Sequence, residues 1–253
     1  MKTSHVIPIM MHRHWWLLMV LVLCVGQASV HAQRTTKRRA QPTIRTENMP
    51  KYDRRRFHFG INLGIAHSGL AIRPIPELRD LLPDTLYGVR SIWQPGFSMG
   101  IESNMRLSDH WDLRFTPTLT LASRLLEFDR PGGEVDQFQF ESTLAEFPVY
   151  FKFKSVRLVN FRAYVIGGFK YTFDLSSKVG ADDAASYPVK LRPHDLLAEL
   201  GFGMDFYTGF FKFSPQLKVS WGMMDLHYPE GNLYSRSIDM MQTRTVYISF
   251  LFE

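Results

Sequence analysis

The chain has a single cysteine, Cys24, among its 253 residues. It lies in the apolar run Trp15–Gly26, which follows a short basic start and precedes small residues before Gln33. That order predicts a secretory signal peptide over residues 1–32. The alternative is a membrane anchor, but a run of about twelve residues is short of the ~20 needed to span a bilayer. A mature chain without cysteine excludes disulfides, thiolate metal sites and thiol nucleophiles.

Acidic residues are scarce in the segment that follows. Residues 33–56 carry nine Lys/Arg and only two Asp/Glu, whereas residues 57–253 carry nineteen Lys/Arg and twenty-two Asp/Glu. A basic stretch with few large apolar side chains does not bury enough surface to fold alone. We predict a disordered basic periplasmic tail over residues 33–56. This tail is either a solvated leader or a segment that contacts an acidic partner or anionic lipid head groups.

No long apolar run follows the signal peptide, and from Phe57 onward the dominant period is two. Apolar side chains occupy alternate positions in eight successive segments, as in the last one, where they are Val246, Ile248, Phe250 and Phe252. Period two predicts strands with two different faces. The links between segments are alternately long and short: residues 68–94, 125–137, 176–190 and 222–241 are long, and residues 108–110, 155–160 and 207–209 are short. Residues 57–253 therefore predict an all-β, eight-stranded antiparallel barrel.

The polarity of the two faces decides between two kinds of barrel. A lipocalin-like soluble barrel also has eight strands, but its interior is apolar. Here the narrower face carries charges: Glu102, Arg106, Asp112, Arg114, Arg162, Lys170, Glu199, Asp205, Lys212 and Lys218. We predict an outer-membrane barrel whose apolar face meets lipid, whose charges pair inside, and whose termini are both periplasmic. Eight strands leave room only for side chains, so a protein-conducting pore is excluded.

Two local features give further expectations. The alternation shifts near Glu146, which predicts a β-bulge beside Pro148. At the end of the chain, Phe252 resembles the terminal aromatic that the outer-membrane assembly machinery reads. Glu253 is then expected in periplasmic water just beyond the membrane, where its deletion would be harmless.

Catalytic patterns are weak. His67 and Ser68 are adjacent, with Glu102 or Glu199 as conceivable carboxylates, but neighbours on a strand point to opposite faces. The histidines His58, His110, His194 and His227 have no metal-ligand spacing, and the pair Asp182–Asp183 is a weak calcium signal. We predict that the protein is not an enzyme, with no catalytic, cofactor-binding or metal-binding residues and no cofactor.

Several segments, in order, resemble one known family. They are "RRFHFGINLGI", "LRFTPTLTLASRLLEF", "ESTLAEFPVYFKFKS", "RAYVIGGFKYTFDL", "LRPHDLLAELGFGMDFYTGFFKFSPQLKVSWGM" and "SIDMMQTRTVYISFLFE". Over residues 51–253 the chain is similar to the PorT family of outer-membrane proteins of the type IX secretion machinery. The resemblance implies an outer-membrane barrel needed for export of cargo proteins. It supplies no catalytic residues.

The expected function is thus a non-enzymatic component or assembly factor of protein secretion. Its expected partners are outer-membrane lipid, other secretion-machinery proteins and the outer-membrane assembly machinery, with no nucleic acid and no small-molecule substrate. The tail and the loop over residues 72–88 are candidate contact sites. Two alternatives stay open: a structural or surface-interaction barrel without a secretion role, and a lipid-modifying outer-membrane enzyme.

Overall fold

The computed structural model describes residues 47–75, 87–130, 132–177, 189–229 and 233–253. The signal peptide, residues 33–46 of the tail, most of the loop over residues 72–88 and the pair Asp182–Asp183 lie outside these ranges, so their roles stay predictions. No helix within the described ranges is long and apolar enough to cross a membrane.

Twelve strands are described. They are β1 (Phe57–Pro74), β2 (Gly88–Ile92), β3 (Gln94–Arg106), β4 (Trp111–Phe115), β5 (Thr118–Asp129), β6 (Val135–Lys154), β7 (Phe161–Asp174), β8 (Lys190–Leu191), β9 (His194–Tyr207), β10 (Lys212–Gly222), β11 (His227–Tyr228) and β12 (Ile238–Phe252). A 3-10 turn, Tyr52–Arg54, precedes β1, and a short helix, Leu233–Arg236, precedes β12. Strands β8 and β11 pair apart from the main sheet.

The long strands close into an antiparallel ring. Strand β1 pairs with β3 on one side and with β12 on the other, so that Ile61 lies opposite both Ile101 and Phe252. Closure leaves no open edge around this ring and satisfies the backbone groups internally. The eight-stranded barrel predicted from the sequence is confirmed. We name the end where β1 begins and β12 ends the terminal end, and the opposite end, with the long links, the loop end.

Strands β4 and β5 form one wall of the ring, interrupted at Pro117. Phe115 pairs with Val149 and Thr118 with Glu146, so the register to β6 continues across the gap without a shift. The expected bulge beside Pro148 is wrong. The interruption lies in the neighbouring strand because Pro117 has no N–H to donate to the ladder.

Side chains alternate between the two faces as the sequence predicts. On β12, Tyr247, Ser249 and Leu251 are buried inside, while Ile248, Phe250 and Phe252 are exposed on the outside. The outward set includes aromatic residues near both ends of the strands, which suits the interfaces of a bilayer.

The interior is narrow. A Cβ placed on Gly203 would collide with the Tyr164 ring, and one on Gly201 would come within 2.9 Å of Lys218 Cγ. Both glycines point inward, so their missing side chains make room for the large ones opposite. The expectation that inward glycines reflect a crowded interior is confirmed.

The polarity of the wall inverts toward the loop end. On β6 the outward residues Phe147, Val149 and Phe151 give way to Gln137, Gln139 and Glu141. The inward residues at that level are apolar and form a cluster, which we name the apolar layer: Leu70, Leu126, Phe128, Phe140, Val189, Leu226, Ile238 and Met241. Several of these residues fall where the sequence analysis predicted long links. The strands thus continue beyond the lipid-facing band.

Candidate functional site

The interior at the level of the lipid-facing band is filled by charged side chains. We name these residues the ionic layer: Glu102, Arg114, Glu146, Lys152, Lys170, Glu199, Asp205, Lys212, Lys218 and Glu253. Arg114 Nε lies 2.6 Å from Glu102 Oε1, although its N–H does not point straight at that oxygen. Arg114 also donates to Gln216 Oε1 at 2.9 Å.

Two further groups of ion pairs stack along the barrel axis. Lys152 Nζ is 2.9 Å from Asp205 Oδ2, and Lys170 Nζ is 3.0 Å from Glu146 Oε1 and 2.8 Å from Glu199 Oε1. Such pairs are needed because an unpaired buried charge is expensive. The paired interior predicted from the sequence is confirmed for most of the layer, while Lys218 instead donates to the Tyr150 hydroxyl at 3.2 Å.

The interior leaves no conduit through the described part of the barrel. Between the ionic and apolar layers lies a cavity of about 20 Å³, lined by Arg124, Lys170, Asp195 and Tyr247 among others. That volume suits about one water molecule. A folded or unfolded polypeptide cannot pass.

Three members of the ionic layer were not predicted from the sequence, and one predicted inward charge, Arg106, lies elsewhere. Lys152, Glu146 and Glu253 were not among the predicted inward charges, although Lys152 alternates with Phe151 and Phe153 and could have been found from that phase. Arg106 is partly exposed and pairs with Asp109 at a turn of the terminal end. The other inward predictions hold, with Asp112 bound to Lys154 and Arg162 bound to Asp53.

Glu253 does not lie in water. Its side chain is wholly buried even though its backbone is partly exposed. Its carboxylate oxygens lie 2.6 Å from Lys212 Nζ and 2.6 Å from the Tyr52 hydroxyl that donates to it. Burial alone would raise the pKa of the Glu253 carboxyl, but Lys212, and then Lys152 and Arg114, lower that pKa from 4.5 to about 2. The expectation of a solvated Glu253 is therefore wrong, because the ladder carries the residue inward onto buried cations.

The last ten residues of the predicted tail also depart from expectation. Residues 47–56 pack across the terminal end, with Tyr52 buried and stacked on His58 at 4.2 Å. Asn48 bridges two turns, since its backbone N–H donates to Asn160 Oδ1 at 2.8 Å and its amide donates to the Tyr207 carbonyl at 3.0 Å. The predicted disorder therefore extends too far, because residues 47–56 are ordered. Tyr52 supplies the apolar surface that anchors this segment, and Asn48 supplies the hydrogen bonds.

Asp53 fastens this segment electrostatically. Its carboxylate lies 3.0 Å from Arg157 Nη1 and 3.0 Å from Arg162 Nη1, and it accepts a hydrogen bond from the Tyr207 hydroxyl at 3.1 Å. Burial alone would raise the pKa of Asp53, but the hydrogen bond from Arg157 and the charge of Arg162 hold it below its ordinary value. Segment 47–56 is thus an ordered cover over the terminal end.

The turn between β6 and β7, residues 155–160, is held under the same cover. Arg157 stacks over the Tyr207 ring at 3.6 Å, donates to the Val159 carbonyl at 2.7 Å and also donates to the Asn48 carbonyl. Val159 adopts a φ of 57°, in the left-handed region that a β-branched residue rarely enters. The cluster therefore keeps a strained turn in one conformation.

The residues weighed as a catalytic pair do not meet. His67 is exposed and lies 5.5 Å from the Trp93 ring, whereas Ser68 is buried and hydrogen-bonds Thr245 at 3.1 Å. The two side chains point to opposite faces, as expected. Across the described ranges no group of three or more His, Cys, Asp or Glu side chains could hold a metal ion.

Comparison with solved structures finds outer-membrane barrels at low similarity. OprG of Pseudomonas aeruginosa is 12% identical over 78% of this chain and 93% of that chain, with a TM-score of 0.42. The Neisserial surface protein A is 11% identical over 77% and 97%, with a TM-score of 0.40. Ail, the attachment invasion locus protein of Yersinia pestis, solved with the heparin analogue sucrose octasulfate, is 11% identical over 78% and 99%, with a TM-score of 0.34. A search of curated proteins found no match.

A closed ring of eight strands, apolar outside and ion-paired inside, defines a transmembrane β-barrel. The sequence family described as the outer membrane protein β-barrel domain matches residues 32–228. The chain belongs to that family, and it is a protein of the outer membrane.

Proposed function

We propose that the protein is a non-enzymatic component or assembly factor of a protein secretion machinery of the type IX kind. The observation that carries the proposal is the filled interior. Because ion pairs occupy the barrel axis, the protein acts through its surfaces and not as a conduit. The ordered cover at the terminal end is one such surface.

The proposal includes an orientation. Short turns lie at the terminal end and long links at the loop end, the arrangement typical of bacterial barrels whose short turns face the periplasm. In that orientation residues 47–56 and the basic tail before them face the periplasm. Outer-membrane lipid, other secretion-machinery proteins and the assembly machinery are then the partners, and the resemblance to the PorT family over residues 51–253 supports the secretion role.

The test is deletion of the gene, with export of cargo proteins measured in the culture medium. Export should fall sharply and return when the wild-type gene is restored. The His67→Ala/Ser68→Ala double variant should restore export equally well, since those side chains share no site. Normal export in the deletion strain would contradict the proposal, and normal export with altered lipid A would favour a lipid-modifying enzyme.

A surface-interaction barrel is the second candidate, and the loop end favours it. The apolar layer stabilises strands β5 and β6 beyond the lipid-facing band, where most of their outward residues are polar. A rigid extension of this kind suits display of a binding surface outside the cell. Loss of binding to an external ligand without loss of export in the deletion strain would select this function.

A further inference from the structure

We propose that the β6–β7 turn, together with the neighbouring cations, is a preorganised docking surface for a protein with an apolar pocket and an acidic rim. This inference rests on the proposed function, and in the proposed orientation the partner is periplasmic.

The first observation is exposed apolar surface at the turn tips. Val156 and Leu158 are 70% and 68% exposed, and Phe210, on the next turn, is 96% exposed. The two turns are linked, because Asn48 bridges them and the Tyr207 N–H donates to the Asn160 carbonyl at 2.9 Å. Neighbouring apolar tips beyond the barrel end are the kind of patch that marks an interaction site.

The second observation is the strained backbone of the β6–β7 turn, which holds Val156 and Leu158 in their exposed positions. Arg157 lies between Val156 and Leu158, and its side chain is turned under the cover, where it is 7% exposed. The bonds of Arg157 to Asp53 and to the Val159 carbonyl hold Val159 in the left-handed region. Strained backbone persists only where its surroundings over-determine it, and such positions cluster at functional sites. The turn is therefore ordered before any partner binds, which lowers the cost of binding.

The third observation is the charge around the tips. Lys51, Arg54, Arg55 and Arg56 are exposed, and within the described part of the chain none of them has an ion-pair partner. Asp53 and Glu47, the acidic residues beside them, are both engaged by Arg157. The unneutralised charge is positive, so an acidic rim on the partner complements it.

The position of the turn favours a protein over lipid. Arg157 packs on the ring of Tyr207, which is buried and faces inward, so the turn is anchored on the inner side of the wall. Residues 155–160 also lie beyond the strands, since β6 ends at Lys154 and β7 begins at Phe161. The outward aromatic residues Phe153 and Phe206 lie at this level, at the ends of their strands. A lipid head group would be met at the wall, whereas this turn faces the space beyond the barrel end.

The experiment places a photo-crosslinking amino acid at position 158 of the full-length protein in its own cells. The matched control carries the same amino acid at position 175, since Leu175 is 57% exposed but lies at the loop end. Position 158 should crosslink to a protein whose crosslinked peptide, sequenced by mass spectrometry, is rich in Asp and Glu. Position 175 should not capture that protein.

Charge reversal provides the second arm. The Arg54→Glu/Arg55→Glu variant should lower the crosslink at position 158 by roughly tenfold or more, the scale of a lost interface anchor. Val156→Ser combined with Phe210→Ser should lower it similarly. Heat-dependent gel migration confirms in each variant that the barrel has folded, and none of these substitutions touches the Asp53 contacts.

Several outcomes would overturn the docking surface. They are crosslinks from position 158 to lipid only, to a second copy of this chain, to a protein that charge reversal does not release, or to nothing. Export is measured in parallel in the same strains. If deletion abolishes export but the turn variants leave it intact, the proposed function stands and the docking surface fails. If deletion leaves export intact, the proposed function fails whatever the crosslinks show.

Discussion

The barrel interior has two regions of opposite character, and their boundary coincides with a change on the outer wall. Within the lipid-facing band the interior is the ionic layer, and at the loop end it is the apolar layer. On β6 the outward side chains change from apolar to polar over the stretch Thr143–Phe147, while the inward ones change in the opposite sense. Where the outer face meets lipid it is apolar and the interior is polar, and where the outer face meets water the two polarities are exchanged.

The difference shows what holds each region together. In the lipid-facing band the apolar side chains face lipid and do not pack the interior. The interior there is stabilised by ion pairs and hydrogen bonds. At the loop end water lies outside, and apolar burial stabilises the interior as it does in soluble proteins. Substitutions in the two regions should therefore respond differently to charge, cavity volume and pH.

The largest effect is expected from removal of a central cation in the ionic layer. Lys170→Met leaves Glu146 and Glu199 buried without their shared partner, and the loss of unfolding free energy should be about 3–5 kcal/mol. Urea unfolding of the barrel refolded into lipid vesicles measures it. Combining Lys170→Met with Glu146→Gln and Glu199→Gln should recover most of the loss. A loss below about 1 kcal/mol for the single variant would contradict an ion-paired interior.

A cavity in the apolar layer should cost somewhat less. Leu126 is fully buried, so Leu126→Ala should lower the unfolding free energy by about 3 kcal/mol through lost burial and an unfilled cavity. Leu126→Met is the control and should cost less than about 1.5 kcal/mol, because it conserves volume. The same vesicle assay applies. If Leu126→Ala is neutral, the loop end is not a packed core.

The boundary between these regions explains what the sequence could predict. Within the lipid-facing band, alternation with apolar side chains outside runs through all eight strands, so the strand count, closure and inward face followed from the residues. Beyond Thr143 on β6, and beyond Ser68 on β1, alternation continues but its phase inverts. On β1 the inverted phase resembles a lost pattern, so the residues beyond Ser68 were predicted as a link. On β6 most of the stretch was predicted as strand, and the inversion was interpreted as a bulge near Glu146.

The terminal end was harder to predict for a different reason. Tyr52 and Asp53 sit in a basic stretch whose composition favours disorder, yet each meets a partner far away in sequence, at Glu253 and Arg157. The alternation on β12 does not show whether backbone pairing ends at Phe252 or includes Glu253. Pairings of this kind depend on barrel closure, which places segment 47–56 and the start of β1 beside the end of β12.

Glu253 tests whether charge pairing stabilises the part of the ionic layer nearest the terminal end. Glu253→Gln keeps the size but removes the charge that pairs with Lys212, and should lower the unfolding free energy by about 2 kcal/mol at neutral pH. The pKa of Glu253 is lowered from 4.5 to about 2, so its contribution is present above pH 4.5 and lost as the pH falls toward 2. Unfolding measured across that range should show the difference between wild type and variant closing.

The matched control for that comparison is Asp109→Asn, since Asp109 is an exposed carboxylate at the same end and, among the described residues, pairs with Arg106 alone. Exposed ion pairs contribute at most about 1 kcal/mol, so this variant should follow the wild type closely at every pH. A pH-independent gap for Glu253→Gln would mean that packing and not charge makes Glu253 important.

The smallest expected effect has the opposite sign and concerns the strained turn. Val159 has a φ of 57°, which a β-branched residue adopts at a cost that asparagine largely avoids. Val159→Asn should therefore raise the unfolding free energy by about 1 kcal/mol, whereas Val156→Asn, one turn position with ordinary backbone, should be close to neutral. The gain should vanish in an Arg157→Gln background, because Arg157 holds the turn in the strained conformation. A gain that persists there would place the origin of the strain in the turn itself and not in the cover over the terminal end.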